Sequence, residues 1–231
     1  MRFESKLAER IHAKKGAGGS WKTYGAFVGI VFIVLTLTAS SLAGSQAVVH
    51  VGTQDSMAKY LGQFDGVPNV VLIGLSGADD WVSLKVPFKG GLSDLESISF
   101  SLFIAQTGGE VQLEPYVVLR FAEGKSLVCK PEDSYATSNW SQPYMNWQWR
   151  DVVGYGKWSA APEATQSLAP LDTWSGIIGD RQILSIFVFV GKWTITDPYQ
   201  VYVGDLAVNG KLVDLANAGR VTGPSKDLPW F

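Results

Sequence analysis

Past residue 50 the chain alternates apolar and polar positions with a period of two. Ile98, Phe100, Leu102 and Ile104 interleave with Ser97, Ser99, Ser101 and Phe103, which predicts a strand with one buried face. Tyr116 to Phe121 (YVVLRF) predicts another. Ile183 to Val190 (ILSIFVFV) is apolar on both faces, as expected of a central strand in a sandwich. Gln200 to Val208 (QVYVGDLAV) predicts a further strand, and Asn209-Gly210 then signals a type I′ hairpin into Lys211-Leu-Val213. Asn69 to Leu75 and Trp81 to Val86 read as earlier strands. Leu171 to Ile178 predicts one short helix with Asp172 as its N-cap. Many strands separated by turn signals predict an all-β fold, an antiparallel jelly-roll-like β-sandwich.

The N-terminal region follows a different pattern. Tyr24 to Ala43 carries no charge, and Ile30, Val31, Phe32, Ile33 and Val34 are consecutive. Such a run paints every helix face apolar, and about 20 apolar residues cross a bilayer. Arg2, Lys6, Arg10, Lys14, Lys15 and Lys22 all precede it. Retention of Lys and Arg in the cytoplasm then places the N-terminus inside and everything after Gly44 outside. The expected organisation is a basic cytoplasmic segment over 1–23, a transmembrane or signal-anchor helix over 24–43, a linker over 44–66, and an external β-sandwich domain over 67–231. Three readings of the apolar segment stay open. It is an uncleaved signal anchor, or a signal peptide cut near Ala43 or Ala47. Or it resembles the class III signals of archaeal surface filaments, through Lys14-Lys15-Gly16 ahead of an apolar run. Phe3, Leu7, Ala8 and Ile11 have helical spacing, which suits a segment lying on the inner membrane face or a frayed tail.

Charge agrees with this layout. Six Lys/Arg and two Glu precede Tyr24, out of 19 Lys/Arg and 21 Asp/Glu in all, so the head is basic and the body acidic. An acidic body argues against a nucleic-acid partner. The single cysteine, Cys129, excludes an intramolecular disulfide and a cysteine-based metal cluster. In Ser126-Leu-Val-Cys129 it reads as a small buried hydrophobe, the alternatives being an intermolecular disulfide or a reactive thiol. His12 and His50 both precede the expected domain, which argues against a Ser-His-Asp triad or a His-rich zinc site within it.

The aromatic content lies where chemistry is expected. Tyr135, Trp140, Tyr144, Trp147, Trp149, Tyr155 and Trp158 crowd one segment, with Asn139, Gln142, Asn146, Gln148 and Asp151 between them. Aromatic rings stack on the flat C–H faces of sugars while polar neighbours bond the hydroxyls, and ligand pockets are mostly aromatic with a few placed polar groups. Trp140, Tyr144, Trp147, Trp149 and Trp158 are therefore the candidate ligand-binding residues. Trp147 and Trp149, two apart, share a face in a strand, which suits a stacking platform and a core equally. A glycosidase needs two carboxylates across one cleft; Glu110, Glu114, Glu123 and Asp205 are candidates, with no motif linking any pair. Calcium takes several oxygen ligands, and Asp79, Asp80 and Asp205 are candidates, with solvated loop carboxylates the plain alternative. Asn139-Trp140-Ser141 is an N-glycosylation acceptor pattern. Val48, Val49 and Val51 suit either a tether or a strand donated to a neighbouring subunit.

The order of features resembles a known family pattern. Pro115 to Phe121 (PYVVLRF), a Trp-rich middle, Thr173 to Gly179 (TWSGIIG), an apolar strand, and Tyr199 to Lys211 (YQVYVGDLAVNGK) follow one another. This is similar to jelly-roll β-sandwich modules of the carbohydrate-binding and lectin-like type, over roughly residues 68–215. Gly204 stands where the family often has its Asp, and Asp205 follows. The resemblance implies non-catalytic binding at the cell surface, with carbohydrate as ligand. The alternatives are a structural subunit of a surface filament or layer, and a polysaccharide-acting glycosidase. Expected partners are the membrane, a glycan and further copies of the chain. The expected location is the cell membrane, with one pass and the C-terminal domain outside, or else secretion.

Overall fold

The computed structural model describes residues 46–77, 79–106, 114–161, 168–191 and 198–223. The chain divides into two compact units, Met1–Ser45 and Gln46–Phe231. The first, and with it the apolar segment 24–43, lies outside the described residues, as does Glu110. Among the described residues no helix is long and apolar enough to cross a membrane.

The second unit is two sheets. Its strands are β1 (Val48–Val51), β2 (Met57–Phe64), β3 (Val67–Leu75), β4 (Trp81–Gly91), β5 (Ile98–Gln106), β6 (Tyr116–Phe121), β7 (Ser126–Cys129), β8 (Gln148–Asp151), β9 (Trp158–Ala161), β10 (Gln182–Gly191), β11 (Tyr199–Val208), β12 (Lys211–Leu212) and β13 (Gly219–Thr222), with helix α1 (Leu171–Ile178) before β10. A seven-stranded sheet runs β13-β1-β4-β10-β6-β7-β9, and a six-stranded sheet runs β2-β3-β11-β5-β8 with β12 on β11. Four antiparallel pairs nest inside one another along the chain: β3 with β11, β4 with β10, β5 with β8, and β6 with β7. Successive pairs fall in alternate sheets. That is a long hairpin rolled into a sandwich, the jelly roll.

The core lies between the sheets. Ile98, Phe100, Leu102 and Ile104 of β5 are fully buried, as their alternation predicts. β10 sends Ile186, Val188 and Val190 into the core and Phe187 and Phe189 to the other face, where Trp81, Val118 and Val128 join them. Two apolar faces on a strand between β4 and β6 match the expectation of a central strand. Asn209 and Gly210 both have positive φ, +49° and +69°, as the predicted hairpin turn requires. α1 has the predicted span, but Pro170 is its N-cap and Asp172 lies in its first turn. Proline is suited to a helix start because its fixed φ and missing N–H cost nothing there.

One sequence-based boundary is corrected. The stretch 44–66, expected as a linker, contributes β1 and β2 to the sandwich. Val48 to Val51 pair antiparallel with Lys85 to Val82 of β4 and parallel with β13. A strand expected as a tether, or as a donor to a neighbour, is thus paired within its own chain. His50 lies on β1 and is buried, so it belongs to the folded domain.

Candidate functional site

The outer face of the six-stranded sheet collects the aromatic residues. Tyr202 of β11 stands opposite Leu72 of β3 on one side and Phe103 of β5 on the other. Beyond β5, Ser101 stands opposite Trp149 of β8. Trp147, two residues earlier, packs on Phe103 with ring centroids 5.7 Å apart. Phe64 at the end of β2 lies flat on Tyr202, at 4.1 Å and 7°. It also meets Phe103 edge-on at 6.0 Å and Trp147 at 6.2 Å. The result is a partly buried cluster of four rings with Trp149, 53% exposed, beside it. Tyr144 and Met145 continue the exposed apolar surface, because Ile104 exchanges backbone bonds with Pro143 and Met145 and so holds that loop against β5.

Trp149 is held by its backbone. Arg150, the next residue, points inward and is fully buried. It forms a paired contact with Glu114 at 2.7 and 2.9 Å, and donates to the carbonyls of Ser141 and Trp149 at 2.6 and 3.2 Å. Tyr135 donates its hydroxyl to the same Glu114 carboxylate. The rings of Tyr135 and Trp140 flank the guanidinium at 5.7 and 5.0 Å. Burial pushes the Glu114 carboxyl above its usual range, against the hydrogen bonds and charge of Arg150. Strand alternation therefore aims Arg150 into the interior and Trp149 out to solvent.

No protein-family model and no curated protein matches this chain. Some solved structures are similar to it. The family 11 carbohydrate-binding module of the cellulosomal cellulase Lic26A-Cel5E of Clostridium thermocellum is 12% identical, with a TM-score of 0.42, over 72% of this chain and 89% of that one. A family 11 carbohydrate-binding module from Clostridium thermocellum in complex with a β-1,3-1,4-mixed-linked tetrasaccharide is 13% identical, with a TM-score of 0.42, over 74% of this chain and 93% of that one. Similarity at this level says nothing of what this chain binds.

The predicted ligand-binding residues divide between surface and interior. Trp149 and Tyr144 are exposed, and Trp147 is half-buried on the outer face. Trp140 packs partly against the core, edge-on to Tyr155 at 6.5 Å. Trp158 has no exposed surface; its indole donates to Val152 at 2.9 Å, and its own carbonyl accepts from the Trp174 indole at 2.8 Å. A side chain so enclosed cannot stack on an external ring, which corrects the role expected of Trp158. Phe64, Phe103 and Tyr202 were missed, because they lie far from the Trp-rich segment in sequence. Only the position of Phe103 among the serines of β5, on the face opposite the core, marked any of them.

Among the described residues the candidate carboxylates do not converge. Glu114 is committed to Arg150, and Glu123 pairs with Arg181. Asp80 is buried, and its oxygens accept from Thr53 Oγ1 and from the backbone N–H groups of Ser76 and Gly77, which shapes the β3–β4 turn. Asp79 beside it is exposed. Tyr199 pairs with Leu75 and Val203 with Val71, so Asp205 lies towards the other end of β3 from Asp80. Asp205 and the Asp79–Asp80 pair are thus separate candidate positions for calcium. Among the described residues no three His, Cys, Asp or Glu side chains group as metal ligands. Cys129 is free and fully buried, and burial pushes its thiol well above the usual range, which is the small-hydrophobe reading. Asn139 and Ser141 are both exposed, so the glycosylation pattern is sterically open.

Proposed function

We propose that this chain binds carbohydrate without catalysis, through the outer face of the six-stranded sheet. The observation that carries the reading is Trp149, a large ring more than half exposed on a backbone fixed by a buried ion pair. Solvent-exposed indoles are costly unless a partner covers them, and a rigid ring loses little entropy on binding. Ser101, its cross-strand neighbour, supplies a hydroxyl for hydrogen bonds to sugar hydroxyls. Residues 24–43 hold this domain at the outer surface of the membrane, with the basic head retained inside. The test is retention of the full-length protein on a glycan array, compared with Trp149→Ala. The reading expects at least a tenfold loss of retention with an unchanged melting temperature. Equal retention by the two proteins refutes it.

A further inference from the structure

The β2–β3 hairpin does not lie flat at the sheet edge. Phe64 pairs with Val67, whereas Tyr202 pairs with Leu72, five residues further along β3. In a flat sheet that offset separates them by roughly 16 Å along the strand. The two rings nevertheless stack at 4.1 Å, so the hairpin tip is folded back over the outer face. Val67 comes down on Gly204, where a Cβ would lie 2.7 Å from Val67 Cγ1 and 2.9 Å from Val70 Cγ2. Only glycine at 204 lets the tip approach this closely. Val70, which belongs to neither side-chain cluster of the sandwich, is fully buried.

Both strands are irregular at the base of the tip. In β2 the register shifts on either side of Gly62, whose φ is +77°. Gly62 pairs with Val70, and next to it Asn69 holds a φ of +54° with its side chain donating to the Val213 carbonyl at 2.8 Å. Two left-handed residues at one level form a hinge across the hairpin. Beyond it, from Gln63 to Pro68, no residue is more than partly buried, and the one buried residue of the edge strand β2, Ala58, lies on the other side of the hinge. Elements with so little buried surface open locally at low cost. Beneath the tip, the Trp147 indole nitrogen is buried with no hydrogen-bond partner among the described residues. A buried donor without an acceptor is rare and disfavours the arrangement that buries it.

We propose that the Gly62–Asn69 hairpin tip is a lid, and that Phe64 fills the ring position on Tyr202 which a sugar ring takes when the tip swings away. The inference rests on the binding reading above. It adds a slot with Tyr202 as one wall and Trp147 as the other, over Gly204 and Val70. A pyranose there keeps the flat stack on Tyr202, and one of its hydroxyls accepts the Trp147 N–H that Phe64 leaves unbonded. A tip that is closed most of the time lowers apparent affinity by the open fraction.

Two measurements on the full-length protein test this, with cellohexaose as probe because its all-equatorial rings have flat C–H faces. Without sugar, amides from Gly62 to Asn69 are expected to exchange hydrogen at least 100-fold faster than those from Phe100 to Ile104. Equal protection overturns the lid. Phe64→Ala is expected to bind cellohexaose roughly tenfold more tightly, the reciprocal of a one-in-ten open population; unchanged or weaker binding overturns the lid. Fast exchange at the tip, with no sugar bound by any of these proteins or retained on a glycan array, supports the hinge and overturns the proposed function instead.

Discussion

Arg150 grips Glu114 through one edge of its guanidinium, Nε to Oε2 at 2.9 Å and Nη2 to Oε1 at 2.7 Å, and neither side chain reaches solvent. The pair joins β8, which carries Trp149, to the segment entering β6. A bidentate Arg–carboxylate contact fixes orientation as well as distance. Breaking such a pair on one side strands the other charge in the interior.

Arg150→Met is accordingly expected to cost about 3–5 kcal/mol of stability, read as a lower urea midpoint. The paired change Arg150→Met with Glu114→Leu is expected to recover most of that loss, because no charge is then left uncompensated. A single mutant within 1 kcal/mol of the wild type would show that the pair contributes little.

Glu132 predicts a pH dependence. It lies on the turn Pro131–Ser134, and its Oε2 is buried with no hydrogen-bond partner among the described residues. Burial, together with the charges of Glu114 and Asp133, pushes its carboxyl from 4.5 to about 7. The folded protein therefore holds this proton more tightly than the unfolded chain does. Its stabilising contribution is complete below pH 4.5 and is lost as pH rises through about 7. The expected loss between pH 5 and pH 8 is on the order of 2 kcal/mol. Glu132→Gln should flatten the denaturation profile over that interval; an unchanged slope assigns the dependence elsewhere.

Three of the four tryptophans of the candidate segment should separate by burial. Trp158→Ala, in the core, is expected to cost about 3–5 kcal/mol. Trp147→Ala is expected to cost about 2 kcal/mol, since it removes ring contacts with Phe64 and Phe103. Trp149→Ala is expected to stay within about 0.5 kcal/mol while losing glycan retention. Calorimetry on the three variants gives the order, and a large loss for Trp149→Ala makes that residue structural.

The proposed membrane anchoring makes a separate prediction. Protease added to intact cells should degrade the β-sandwich and spare a fragment containing residues 1–23. Detergent should be needed to extract the full-length protein. Complete protection of the sandwich in intact cells contradicts the orientation assigned from Arg2 to Lys22.

Local pattern alone determined a good deal about this protein. The alternation of β5, the two apolar faces of β10, the Asn209-Gly210 turn and the span of α1 were all legible, because each depends on neighbours within a few residues. So was the aromatic wealth from which a stacking surface is built. Tertiary structure decided which rings face outward, that β1 pairs with β4, that Trp158 belongs to the core, and that Phe64 lies across Tyr202. Periodicity says that a strand has two faces, but which face meets the other sheet depends on register and on how the nested hairpin closes. Both are set by contacts between residues far apart in the chain, and a linear pattern does not encode them.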